Sequence, residues 1–308
     1  VSAREVVVLG TASQSPTRHR NHNGYLLLWD GEGILFDPGE GTQRQFTLAD
    51  VSPATVTRIC ISHFHGDHCL GLPGMIMRLA LDANPEHGRV PVPIHYPASG
   101  QSYFDRLRYA TAGQELIDVD AQPVAEPGIV HTGEMFTLRC ARLEHRIEAL
   151  GYRLQEPDGR RMLPARLDAL GVAGADIGRL REAGRIDVDG RTVTLAEVSE
   201  HRPGQSFAFV MDTAWCDAAL DLAAGVDLLV CESTFLSSEE HLAAKWGHLT
   251  ARQAGRLAAE AGARQLVLCH FSRRYPDVQA FADEAGAEFG DVIIAEDLGR
   301  IPVPSRRT

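Results

Sequence analysis

The chain carries a single lysine, Lys245, among its 308 residues, and none of its six cysteines stands in a Cys-x-x-Cys pair. It has no apolar run approaching the roughly eighteen residues of a membrane span, and its amino terminus lacks the basic, then apolar, then small-residue order of a secretory leader. From these absences neither secretion, nor a membrane partner, nor a disulfide scaffold is expected. Cys60, Cys69, Cys140, Cys216, Cys231 and Cys269 are expected to be reduced and mostly buried, which fits a cytoplasmic protein. A formal charge of −11 also excludes a generic electrostatic binder of nucleic acid, because non-specific phosphate binding rests on clustered cations. The arginines do gather locally, at Arg18 and Arg20, at Arg160, Arg161 and Arg166, at Arg179, Arg181 and Arg185, and at Arg273 and Arg274. With 44% apolar residues the chain has ample material for a large globular core.

The densest chemistry lies in Ile61-Ser62-His63-Phe64-His65-Gly66-Asp67-His68-Cys69, where three histidines and a carboxylate fall within six residues. The β-branched run before it, Val56 to Ile61, reads as a buried strand that delivers the cluster to a sheet edge. Alternate residues of an extended or turning backbone point to one side, so His63 and His65 can share one cation while Asp67 and His68 turn toward a second. A lone histidine is more often a hydrogen-bonding residue than a ligand. Four candidates at this spacing, followed by Gly71-Leu72-Pro73-Gly74, reverse those odds. Imidazole beside carboxylate suits zinc or a harder divalent ion such as manganese, and implies a dinuclear hydrolytic site.

Along the chain, strands are expected at 4–9, 25–29, 34–37, 92–96, 115–119, 122–131, 135–143, 206–211, 226–230 and 265–269, in addition to the one before the cluster. Helices are expected from the Pro38-Gly39-Glu40-Gly41 turn to about 49, then at 75–82, 101–109, 216–224, near 238–245 and at 251–261, the last capped by Thr250. Residues 156–200 are charged and glycine-dotted, with two brief helices and a hairpin, and read as an excursion from a single 308-residue domain. Strand, polar residue, helix is the recurring unit, so the class is α/β with active residues at strand ends. His145, Asp212 and His270 each follow such a strand, and Glu232 and His248 sit in similar positions.

The His-x-His-x-Asp-His run resembles the signature of the metallo-β-lactamase superfamily, and implies its αββα sandwich. Gly71-Leu72-Pro73-Gly74, Glu232-Ser233-Thr234, His248-Leu249-Thr250, His270-Phe271-Ser272-Arg273-Arg274-Tyr275, Pro16-Thr17-Arg18-His19-Arg20-Asn21 and Asp37-Pro38-Gly39-Glu40-Gly41-Thr42-Gln43 together resemble the ribonuclease Z family. That resemblance, which runs from about residue 4 to 303, implies an endonuclease that removes the 3′ trailer of precursor tRNA and leaves a 3′-hydroxyl. It implies two Zn2+ per subunit, with Mn2+ as a substitute, held by His63, His65 and His145 on one side and by Asp67, His68 and His270 on the other. Asp212 would bridge them, and a hydroxide shared by the ions would attack phosphorus. His248 would protonate the leaving oxygen with Glu232 orienting it, and Asp67 would double as base. The excursion at 156–200 would be a tRNA-gripping arm whose Arg179 and Arg181 meet phosphates, in a homodimer where one subunit holds the RNA that the other cuts. Arg18, Arg20 and Arg274 would touch RNA near the cleavage point, and no DNA partner is implied. A small-ester phosphodiesterase or sulfatase of the same fold is the alternative enzyme, but would have no use for an arginine-bearing arm. A non-catalytic RNA-binding homologue is the alternative outside catalysis, and would not need two complete ligand sets.

Overall fold

The computed structural model describes residues 4–82, 91–113 and 118–305. It divides into two compact units, residues 1–154 with 206–308, and residues 155–205. The larger unit holds two seven-stranded sheets. The first runs, in spatial order, Arg300–Pro302, Glu5–Gly10, Gly24–Trp29, Glu32–Phe36, Arg58–Cys60, Pro93–Pro97 and Asp120–Val124. The second runs Val292–Ile294, Leu266–Cys269, Leu228–Glu232, Ser206–Val210, Ala149–Gln155, Thr137–Leu143 and Gly128–Thr132.

Alternation along the strands explains the layers. Val6 and Val8 pack with Tyr25, Leu27, Phe207 and Phe209 in a core shared by both sheets. Their neighbours Val7 and Leu9 face the other way, with Phe46, Leu72 and Ile76 of the helices Thr42–Leu48 and Leu72–Asp82. On the second sheet Ala208 and Val210 pack against Leu222 and Leu257 of the helices Asp217–Ala223 and Ala251–Ala261. Each central strand is therefore buried on both faces, which is why it reads as a continuous apolar run. The result is the helix, sheet, sheet, helix sandwich expected from the resemblance. Thr250 does cap its helix, in a reciprocal capping box with Gln253.

One expected strand is corrected. Residues 122–131 are two strands, Asp120–Val124 at the edge of the first sheet and Gly128–Thr132 at the edge of the second. The chain crosses between sheets at Ala125-Glu126-Pro127, where Pro127 has no N–H for a ladder. The strand expected at 115–119 falls mostly outside the described residues. Among the described residues no helix is long and apolar enough to cross a membrane. The six cysteines are free, all buried except the half-buried Cys216.

Between the two sheets' strands a buried Arg58 of the first sheet donates to His95 Nε2 of the neighbouring strand at 2.7 Å and to His131 Nδ1 of the second sheet at 3.0 Å. Burial, then the Arg58 charge and His131, outweigh Asp120 and push the His95 pKa down to about 4, and burial and Arg58 also lower His131 despite Glu32. An imidazole that stays neutral when folded but titrates near 6.5 when unfolded contributes stability above 6.5 that is lost as pH falls toward 4. His95→Gln, which keeps an acceptor for Arg58, is expected to flatten the acid limb of the unfolding free energy by about 3 kcal/mol between those limits. Urea titrations across that range check it, and parallel limbs for the two proteins would refute it.

The smaller unit has its own core of Leu167, Val172, Leu180, Val193 and Val198. It comprises the paired strands Gly159–Met162 and Ser199–Arg202, the helices Pro164–Ala169, Ala175–Ala183 and Leu195–Val198, and the hairpin Arg185–Val188 with Arg191–Thr194. Its two ends leave side by side, since the Glu156 N–H donates to Gln205 O at 2.9 Å.

Candidate metal centre

The site is built at the carboxyl ends of the central strands. Arg58–Cys60 delivers His63, Thr137–Leu143 delivers His145, Ser206–Val210 delivers Asp212, and Leu266–Cys269 delivers His270, while Glu232 closes its own strand. Asp67 and His68 sit in the short helix Gly66–Cys69 directly after His65. Close backbone contact sets the path of this loop: a methyl at Gly71 would lie 2.0 Å from Gly39 O, and one at Gly39 would lie 2.2 Å from Asp67 O. Asp37, Asp212 and His270 all adopt left-handed backbone with φ of 45°, 43° and 61°. Non-glycine residues hold that conformation at a cost, and such strain concentrates at functional sites.

Seven side chains converge. His63, His65, His145 and Asp212 form one group, and Asp67, His68 and His270 a second. Asp212 Oδ2 lies 3.5 Å from His63 Nε2, 3.5 Å from His68 Nε2 and 3.7 Å from His145 Nε2, while its Oδ1 lies 3.2 Å from His270 Nε2. Asp67 Oδ2 is 3.4 Å from both His68 Nε2 and His270 Nε2. Asp212 thus touches both groups.

Four imidazoles are fixed by their outer nitrogen. Nδ1 of His63 meets Ser62 Oγ at 2.9 Å, that of His68 donates to Asp37 Oδ2 at 2.8 Å, that of His145 to Gly247 O at 2.8 Å, and that of His270 meets Thr234 Oγ1 at 2.7 Å. Each Nε2 is left facing inward, as bonds from the far nitrogen do for metal-ligating histidines. His65 instead turns Nδ1 inward, 2.9 Å from His63 Nε2. Asp212 Oδ1 and His270 Nε2 are buried with no hydrogen-bond partner among the described residues. Orphaned buried polar atoms are costly, and here they face one another across a nitrogen and oxygen donor set suited to a divalent cation. The residues fit a metal.

Charge follows the same plan. Burial would raise the Asp67 carboxyl, but His68 and His270 outweigh it and hold it well below the usual carboxylate range. Asp212 is held low in the same way, chiefly by His270 and His68. Burial, aided by His68, keeps His63 neutral, and burial lowers His65.

At the rim, His248 Nδ1 donates to Glu232 Oε1 at 2.9 Å. Burial opposes a charged His248, yet Glu232 and Asp212 outweigh it and its pKa is pushed up to about 9. Glu232 is pinned by the Thr213 N–H at 2.7 Å and by the Thr234 hydroxyl at 2.6 Å. His65, Asp67, His145, Asp212, His248 and His270 open into a pocket of about 740 Å³ that is also lined by Gln14, His22, Trp246, Arg273 and Arg274.

The arginines expected at RNA fare differently. Arg18 and Arg274 are exposed, and Arg274 lines the pocket. Arg20 is half-buried, and its guanidinium donates to Tyr275 O at 2.7 Å, tying the loop at 16–21 to the segment after His270. Arg179 and Arg181 are exposed on the smaller unit, where Arg179 pairs with Asp176. Asp37, Ser62, Thr234 and the Gly247 carbonyl orient the centre without any spacing signal of their own. Only their recurrence beside the ligand motifs, as in Glu232-Ser233-Thr234, could have hinted at them.

Residues 17–131 match the model of the metallo-beta-lactamase superfamily, and residues 179–271 match that of a beta-lactamase superfamily domain. The chain is 58% identical to ribonuclease Z of Nocardia farcinica over all of both chains. It is also 58% identical to ribonuclease Z of Salinispora arenicola, over all of this chain and 98% of that one. In fold it is similar to the crystal structure of the short form of human tRNase Z, with a TM-score of 0.70 at 24% identity, covering 98% of this chain and 100% of that one.

Proposed function

The chain belongs to the ribonuclease Z family, and from that membership and the geometry of the pocket we propose that it is a metal-dependent endonuclease that removes the 3′ trailer of precursor tRNA and leaves a 3′-hydroxyl. The observation that carries the chemistry is the pairing of a seven-donor ring with a hydrogen-bonded imidazole–carboxylate couple at its rim. Two divalent ions, Zn2+ in the first instance, would be held by His63, His65 and His145 and by Asp67, His68 and His270, with Asp212 shared. Such ions lower the pKa of water and neutralise charge on the non-bridging phosphate oxygens.

The chain's own residues supply the proton chemistry. A 3′ alkoxide is a poor leaving group and needs a proton as the bond to phosphorus breaks. His248 carries one, kept on the ring by Glu232, and its Nε2 is the free donor because Nδ1 is committed to Glu232. Asp67, whose Oδ2 also accepts the Gln14 N–H at 2.6 Å, receives the proton given up by the attacking water. Thr234 ties the acid to the ligand shell, since its hydroxyl donates to Glu232 and accepts from His270. Incubation of the zinc-loaded protein with a precursor tRNA, and mapping of the new 3′ end, tests the whole reading. A precursor left intact would defeat it.

The smaller unit is the arm that grips tRNA in this reading, within a homodimer whose partner subunit does the cutting. Excising residues 156–204 joins ends that already lie side by side. The expected result is turnover of bis(p-nitrophenyl) phosphate close to that of the full chain and cleavage of precursor tRNA lowered by about 10²-fold, the scale of several lost phosphate contacts. If the two activities instead fall together, the unit serves folding, and a binding role is excluded.

A further inference from the structure

The helix Glu240–Trp246 ends at the pocket, and its last residue is not part of any core: Trp246 is 39% exposed and lines the opening. Its backbone is held firmly. Gly247, which follows it in left-handed backbone, gives its carbonyl to His145 Nδ1, and His248 comes next. Arg146, the neighbour of His145, places its guanidinium carbon 4.8 Å from the Trp246 ring centroid, and Lys245 Nζ lies 5.1 Å from it. A part-exposed aromatic ring with two cations over it is thus anchored beside His145 and His248 of the catalytic centre. The other aromatic residue of the pocket, Phe235, is 7% exposed and offers no face.

We propose that Trp246, flanked by Arg146 and Lys245, is a stacking platform for the base of the last nucleotide retained on the tRNA. This rests on the endonuclease reading above. His248 protonates the oxygen that leaves, and that oxygen belongs to the sugar of the retained nucleotide, so its base lies on the His248 wall. Gln14 and His22 form the wall beside Asp67 and receive the opposite side of the scissile phosphate. Stacking accepts any base, since each has a π-face, and the two long cationic side chains that lie over the ring give way to the base and turn to the flanking phosphates. An enzyme that must end many different tRNAs at one position needs that tolerance.

The test compares precursors bearing either the natural base or an abasic sugar at that position, cut by the zinc-loaded full chain, by Trp246→Ala and by Trp246→Phe. The wild type is expected to lose about tenfold in kcat/KM on the abasic precursor. W246A should be about tenfold slower on the natural precursor and indifferent to the missing base, whereas W246F, which keeps a ring, should retain the preference. In chelator, where no cutting occurs, the natural precursor should quench indole fluorescence in the wild type more than in W246F. An abasic penalty of equal size in the wild type and W246A overturns the platform and leaves the endonuclease standing. If the wild type cuts neither precursor, the endonuclease reading itself falls and takes the platform with it.

Discussion

His248→Ala is expected to slow cleavage of precursor tRNA by about 10²-fold or more, the worth of one positioned general acid, while bound metal stays at the wild-type level. The metal measurement matters because His248 has a second possible use. Its Nδ1 lies 4.0 Å from Asp212 Oδ2, and Asp212, His248 and His270 form a third group that could hold an ion. The hydrogen bond to Glu232 at 2.9 Å argues for the acid, since it commits Nδ1 to a carboxylate and keeps the ring charged. Metal content by atomic emission and single-turnover cleavage, measured on the same preparation, separate the roles. A variant that cuts at the normal rate would remove His248 from the mechanism, and one that loses an ion would make it a ligand. Replacing the 3′ oxygen of the scissile bond by sulfur, a leaving group that needs no proton, should restore most of the lost rate.

Asp212→Ala is expected to strip the metal and lower cleavage by about 10³-fold or more, because the several kcal/mol supplied by the ions goes with them. Among the described residues Asp212 is the one carboxylate within 4 Å of histidines of both groups. Without it, His63, His65, His68, His145 and His270 crowd together with Asp67 as the remaining acidic donor. Alanine also has to adopt the left-handed φ of 43°, so Asp212→Asn, which tolerates that backbone better, separates loss of charge from loss of shape. Both variants should fall short of two ions per chain after dialysis against buffered zinc. Two ions retained by Asp212→Asn, with near-normal cleavage, would contradict a shared ligand.

The residues of the candidate site were legible in the sequence to different degrees. Asp212 and His270 stand immediately after apolar runs, and a strand followed by a polar residue is a local pattern that survives without coordinates. His63, His65, Asp67 and His68 were plainer still, because four donors within six residues leave little room for another explanation. Arg20 shows the opposite case. Its place in a polar loop reads as a phosphate contact, and nothing in that loop signals that its guanidinium donates to Tyr275 O, a residue 255 positions away. The expected strand at 122–131 failed because apolar alternation marks a strand but not the sheet it joins.

The sequence by itself determined the α/β class, the cluster of candidate donors and the family, because each is written in short-range order: the period of a buried strand, the spacing of histidines and carboxylates, the identity of motifs. Tertiary structure alone decided which outer partner turns each imidazole, that Thr234 joins the His248–Glu232 couple to His270, and that Trp246 faces the pocket. Those contacts join segments from different strands and helices. Their geometry is fixed by how the two sheets and their helices pack, and no local pattern of residues encodes it.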